Sequence, residues 1–103
     1  MAFRSDLDAV ILGALADGPM HGYAIVKRLR ESSEGLLKLG EGQLYPALHR
    51  LEKSRMVTAV WDQQEGKPSR RVYDLTDIGR QELARHRTAW LRFVKSVNAV
   101  LKV

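Results

Sequence analysis

An apolar repeat near the middle of the chain predicts a helix over residues 42–54. Leu44, Leu48 and Leu51 follow one another at steps of four and three residues, which puts them on one helical face. Pro46 lacks an N–H, so the helix must begin close to Glu41 or Gly42. The other faces carry polar and aromatic side chains: Gln43, Tyr45, His49, Arg50 and Lys53.

Two more helices are predicted before this one. In residues 5–16, Leu7, Val10 and Ile11 recur at helical spacing, and Ser5 or Asp6 can cap the first turn. Gly18 and Pro19 stop that helix. The second helix is expected over residues 22–32, with Ile25 and Leu29 on its buried side.

The pattern then changes to β-branched and aromatic runs over residues 56–62 and 70–75, which predict two strands. Turn-forming residues between them indicate a β-hairpin with a long tip. Thr76 is expected to cap a last helix that runs nearly to Val103. The sequence predicts a mainly α protein with a small β-hairpin: a winged helix-turn-helix domain (1–75) and a long C-terminal dimerisation helix (76–103).

Composition restricts the function classes. With 103 residues, 45% of them apolar, the chain can form one small domain, and its size favours oligomerisation. There is no cysteine, no run long enough to span a membrane and no signal-peptide pattern in residues 1–6, so a cytoplasmic protein is expected. His21, His49 and His86 lack metal-ligand spacing, and no catalytic motif occurs. No enzyme activity, metal or cofactor is expected.

The net charge of +5 allows an anionic partner, but its distribution gives only weak support for DNA binding. Residues 21–75 hold ten basic against seven acidic side chains, or +3. Residues 76–103 hold six against two, or +4.

Three motifs make the chain similar to the PadR family of bacterial transcriptional regulators. Residues 21–25 resemble the family's HGYxI opening of the second helix, and residues 42–52 resemble its GxLYPxLxRLE recognition helix. Residues 71–79 resemble its RxYxLTxxG junction. The short tail resembles the family's small-subunit branch. The resemblance implies a homodimeric DNA-binding repressor, often released by a small molecule, with the dimer built by the last helix and helped by the first.

Two positions depart from the family pattern. Arg55 stands where a glycine usually ends the recognition helix, so either this helix ends differently or Arg55 accepts a strained left-handed conformation. Glu41 replaces a frequent capping serine, and its charge would repel a nearby phosphate.

The candidate DNA contacts come from two helices and the wing. Tyr45 either donates its hydroxyl to a phosphate or packs at a helix junction. Arg50 either binds a guanine edge or pairs with Glu52 or Glu41. Arg71 is a wing candidate that would alternatively hold the strand-to-helix junction. Gln43 and His49 are candidates for base contacts, and Tyr23 and Lys27 for the flanking strand. Lys53 either contacts the backbone or is solvated, and Lys67 and Arg70 are candidates for phosphates or the minor groove.

The last helix carries an apolar stripe with no evident partner in so short a chain. Leu83, Trp90 and Val97 are seven residues apart, and Val94 and Leu101 fill the seam. We therefore expect a twofold dimer, which would present two recognition helices to successive major grooves. The first helix would contribute Leu7, Val10 and Ile11.

Trp90 suggests a ligand site. Paired with its copy near a dimer axis, and flanked by Phe93 and Val94, it could hold a flat aromatic effector; packing in the dimer core is the alternative. The surrounding basic residues favour an anionic or neutral compound over a cationic one: Arg85, Arg87, Arg92 and Lys95. A second function class also fits the mild charge of residues 21–75: a winged-helix module that binds protein instead of an operator.

Overall fold

The computed structural model describes residues 3–103, and the side chains of residues 7–103. The fold is mainly α with one small antiparallel sheet. Its elements are α1 (Phe3–Ala14), a single 3-10 turn (Leu15–Asp17), β1 (Met20–His21), α2 (Gly22–Ser32), α3 (Glu41–Lys53), β2 (Val57–Asp62), β3 (Arg70–Leu75) and α4 (Asp77–Leu101).

The three short helices enclose the core. Leu44, Leu48 and Leu51 of α3 are buried, as their spacing predicts, and so are Ile25 and Leu29 of α2. They pack with buried apolar residues of α1, the 3-10 turn, β2, β3 and α4. Since the apolar side of α3 is fixed against this core, its polar side must face outward.

α1 begins earlier than predicted, at Phe3, so Ser5 and Asp6 lie inside the helix and do not precede it. The bounds of α2 coincide with the predicted residues 22 and 32.

The sheet has a third strand that the sequence pattern did not reveal. The order is β1-β3-β2, and in β1 Met20 pairs with Tyr73 and His21 with Val72. His21 also caps α2, because its Nδ1 accepts a hydrogen bond from the backbone N–H of Ala24 at 3.3 Å. One residue thus ends β1 and starts α2, which fixes α2 against the base of the wing.

α3 ends through a left-handed residue, and that residue is Arg55, with φ 61°. The N–H of Met56 donates to Leu51 at 2.9 Å and that of Arg55 to Glu52 at 3.0 Å, which is the hydrogen-bond pattern of a Schellman motif. Of the two alternatives at this position, the strained conformation is the one adopted. It costs roughly 1–2 kcal/mol for a residue with a Cβ.

The same turn holds the start of α4. Thr76 donates its hydroxyl to the Arg55 carbonyl at 2.6 Å and its N–H to the Met56 carbonyl at 3.1 Å. Its hydroxyl oxygen accepts from the N–H of Gly79 at 3.0 Å, which confirms Thr76 as the cap of α4. Gly79 is buried against this turn, so the α3 end and the α4 start form one junction.

Candidate nucleic-acid interface

The outward face of α3 carries four of its five predicted contact residues. Gln43, Tyr45, His49 and Lys53 are exposed, and the buried leucines hold the helix from behind. The aromatic ring of Tyr45 also packs at the α2–α3 junction, since a Cβ added to Gly22 would lie 2.6 Å from the Tyr45 hydroxyl. This contact supports the packing interpretation of Tyr45, although 44% of the residue remains exposed.

Arg50 is directed elsewhere. Its Nη2 lies 3.1 Å from Oδ1 of Asp8 in α1, and about a third of its side chain is exposed. Arg50 is therefore only partly exposed, unlike the other four predicted contact residues of α3. The salt bridge proposed as the alternative does exist, but its acid is Asp8, 42 residues away in sequence, and not Glu52 or Glu41.

Arg71 is likewise engaged within the protein. Its Nη2 donates to Oε2 of Glu52 at 2.9 Å, and its guanidinium lies 5.7 Å from the ring centre of Trp61 and 5.8 Å from that of Tyr73. The side chain holds β3 to α3, and not the strand-to-helix junction that was the alternative. Like Arg50, Arg71 is paired with an acidic side chain of the same chain.

The other wing candidates are accessible. Lys67 is exposed at the tip between β2 and β3, where Gly66 adopts φ 72°. Arg70 is exposed at the start of β3, and its Nε lies 3.6 Å from Oδ2 of Asp62. The wing thus keeps two cationic side chains that can reach an anionic partner.

Tyr23 and Lys27 lie on the exposed side of α2. The ring of Tyr23 stacks on that of His21, with 6.3 Å between ring centres, and Lys27 Nζ lies 4.0 Å from Glu31. Burial lowers the pKa of His21, and the charge of Arg70 lowers it further, against an opposing effect of Asp62. The lowered pKa favours the neutral ring, which the acceptor role of Nδ1 at the α2 cap requires.

The second half of α4 presents apolar side chains to solvent. Trp90 and Phe93 are about half exposed, with ring centres 5.8 Å apart, and Leu101 is more exposed still. Val94 and Val97 are partly exposed beside them. At 100° per residue, Arg85 and Arg92 lie on the opposite side of the helix, and Arg87 alone of the nearby arginines flanks Trp90. The arginines therefore surround Trp90 less closely than expected.

Two predicted interface residues are buried within the chain itself. Ile11 is fully buried in the hydrophobic core and Leu83 is only 6% exposed, so little of either residue is available to a second chain. Leu7 and Val10 are only partly buried. They line a groove of about 240 Å³ together with the loop leucines Leu36, Leu37 and Leu39.

Other kinds of site find no support within residues 3–103. No helix there combines the length and the apolar character needed to cross a membrane. Among the described side chains, those of residues 7–103, His, Asp and Glu form no group of three or more that could hold a metal ion.

Sequence reasoning missed Asp8 as the partner of Arg50, and it missed Glu52 and Trp61 as the partners of Arg71. Each acts through a partner on another element, and no local pattern marks such a pairing.

Comparison with known proteins gives one family. The model of the transcriptional regulator PadR-like family matches residues 11–85. The negative transcriptional regulator PadR of Bacillus subtilis is 34% identical over 77 residues, which are 75% of this chain and 42% of that protein. The chain also spans only 22% of another match, a 37.1 kDa protein in transposon Tn4556 of Streptomyces fradiae.

Two solved structures extend the comparison. A transcriptional regulator from Clostridium thermocellum aligns with a TM-score of 0.84 and 28% identity, covering 93% of both chains. Bacillus subtilis PadR in complex with operator DNA aligns with a TM-score of 0.71 and 32% identity, covering 84% of this chain and 45% of that one.

Proposed function

The chain belongs to the PadR-like family of transcriptional regulators, and from that membership we propose that it is a homodimeric repressor that binds a specific operator. The observation that carries the proposal is the alignment with Bacillus subtilis PadR, which was solved with operator DNA. That relative is a negative regulator, which supports repression here. Members of this family are regulators and not enzymes. The site of action would be the cytoplasm.

In the proposed complex, α3 lies in the major groove and the wing follows the neighbouring backbone. Gln43 and His49 would read base edges, and Tyr45 and Lys53 would contact phosphates. All four side chains are exposed, which supports their access to DNA. Lys67 and Arg70 of the wing and Tyr23 and Lys27 of α2 would bind the flanking strand.

The proposed dimer joins the C-terminal segments (76–103) of two copies along the apolar stripe of α4, with residues 1–75 as the DNA-binding domain. The exposure of Trp90, Val94, Val97 and Leu101 supports it, because a helix face this apolar is stabilised by burial. Leu7 and Val10 would contribute from α1.

We also propose an effector site at Trp90, Phe93 and Val94 of the dimer, suited to a planar aromatic compound. The accessible, adjacent rings of Trp90 and Phe93 support it. Trp61 and Trp90 are the two tryptophans of the chain, so replacing one at a time isolates the other. In Trp61→Phe, planar compounds should change the Trp90 fluorescence and weaken operator binding by roughly tenfold.

The matched variant Trp90→Phe keeps Trp61 as the reporter and should show no fluorescence response to the same panel. A flat response of Trp61→Phe to every compound would contradict the effector site while leaving the repressor proposal intact.

Selection from a pool of random duplexes tests the repressor proposal. The protein should enrich a palindrome whose half-sites are separated by about one helical turn, ~10–10.5 base pairs, or a multiple of it. The double variant Gln43→Ala/His49→Ala should lose the sequence preference and keep general affinity. Failure to enrich any sequence, even at low salt, would favour the protein-interaction module.

A further inference from the structure

Two ion pairs hold the last turns of α3 from opposite sides. Arg50 pairs with Asp8 of α1, and Glu52 pairs with Arg71 of β3. Because residues two apart on a helix point about 200° away from each other, the two partners approach α3 from opposite directions. We propose that Asp8 and Arg71 are positioning residues, which set the orientation of α3 on DNA without touching it. This inference rests on the proposed operator binding.

The burial of the four side chains supports a positioning role. Their exposed fractions lie between 23% and 36%, so each pair is partly shielded from water and its attraction is less screened than that of a surface pair. The Nε atoms of Arg50 and Arg71 are buried and have no hydrogen-bond partner among the described residues. In each arginine the buried Nε therefore faces the protein and Nη2 is paired with an acidic side chain.

The two pairs connect α3 to the two parts of the molecule that also bear on DNA binding. Asp8 lies between Leu7 and Val10, which border the groove on α1 and belong to the proposed dimer contact. Arg71 directly follows Arg70, the cationic wing residue, and is held between the rings of Trp61 and Tyr73. A shift of α1 or of the wing would thus be transmitted to the end of α3.

Replacing the acidic residue of each ion pair by its amide distinguishes a positioning role from a purely electrostatic effect on DNA binding. Asp8→Asn and Glu52→Gln each remove a negative charge, which on electrostatic grounds alone should tighten binding to DNA. Positioning predicts the reverse. The Kd for the selected operator should rise roughly three- to tenfold in each variant, as expected for a lost partly buried charge pair. The slope of log Kd against log salt should not change, because no phosphate contact is lost.

Glu41→Gln is the matched control, since Glu41 is an exposed acid on the first turn of the same helix. It should bind the operator as tightly as the wild type or more tightly. Exchanging the charges in Asp8→Arg/Arg50→Asp should recover part of the affinity that Asp8→Asn loses. If Asp8→Asn and Glu52→Gln bind as tightly as Glu41→Gln, or if Arg50→Gln lowers the salt slope by about one contact, the inference is overturned.

Hydrogen exchange of the free protein keeps the inference testable if no operator is found. The amides of residues 48–53 should exchange faster in Asp8→Asn and in Glu52→Gln than in the wild type or Glu41→Gln. Wild-type protein that binds no duplex selectively would refute the proposed function, while unchanged exchange in both variants would refute the positioning role.

Discussion

Replacing Gly79 by alanine is expected to destabilise the fold by about 3 kcal/mol or more, because the added methyl group has no space. A Cβ at Gly79 would overlap the carbonyl oxygen of Met56 and lie 3.0 Å from its carbonyl carbon. That carbonyl accepts the N–H of Thr76, so it cannot retreat without breaking the junction of α3 and α4. Neither the backbone of Met56 nor that of the capped helix start can move freely.

Thermal unfolding followed by circular dichroism measures the effect. For a chain of this size, a loss of 3 kcal/mol lowers the Tm by roughly 12–24 °C. Gly42→Ala is the matched control, since Gly42 is also helical but an added Cβ there meets no atom within 4 Å. Alanine should leave the Tm unchanged or raise it, by up to about 1 kcal/mol in stability. Equal melting of the two variants would contradict the close packing described for Gly79.

If the proposed dimer forms through α4, replacing Val97 by glutamate is expected to dissociate it and to reduce affinity for the proposed operator at least ~100-fold. Val97 lies in the α4 stripe with Trp90, Val94 and Leu101, and it is partly exposed in the single chain. A carboxylate there would be buried without a partner when two copies meet. Since each half-site then binds alone, the gain from holding two recognition helices together is lost.

Sedimentation and operator titration on the same sample report both effects. Ala99→Glu introduces the same charge on the opposite side of α4, where Ala99 is exposed, and should remain dimeric with little change in affinity. A Val97→Glu protein that stays dimeric would contradict the assignment of this stripe to the dimer. A monomer that binds the operator as tightly as the wild type would show that dimerisation does not control affinity.

Much of the fold could be predicted from local sequence. The leucine spacing of α3 encodes its buried side, and Thr76 encodes the start of α4 through a side-chain cap. β1 could not be predicted, because two residues carry no periodicity and its pairing with β3 depends on the tertiary fold. For the end of α3 the sequence allowed either a different helix end or a left-handed Arg55. The structure has the left-handed Arg55, whose carbonyl accepts the hydroxyl of Thr76.

The candidate site was less predictable than the fold, since side-chain direction depends on distant partners. Gln43, His49 and Lys53 lie on the outward face because the helical repeat fixes that face. The helical repeat also predicts that Arg50 is exposed. Its side chain instead turns toward α1, where it pairs with Asp8, 42 residues earlier in the sequence. Ile11 and Leu83 were predicted as dimer contacts but are buried in the core of the single chain. Apolar spacing predicts that a helix side is buried, but it does not distinguish burial in the core from burial in a dimer interface.

The most direct test is the affinity of the pure protein for the duplex upstream of its own gene, at two salt concentrations and against unrelated DNA. A repressor that contacts phosphates should bind selectively, and its binding should weaken steeply as salt rises because those contacts release counterions. Weak binding indifferent to sequence, at this duplex and across a pool of genomic DNA, would contradict the repressor proposal and favour a protein partner for the winged helix.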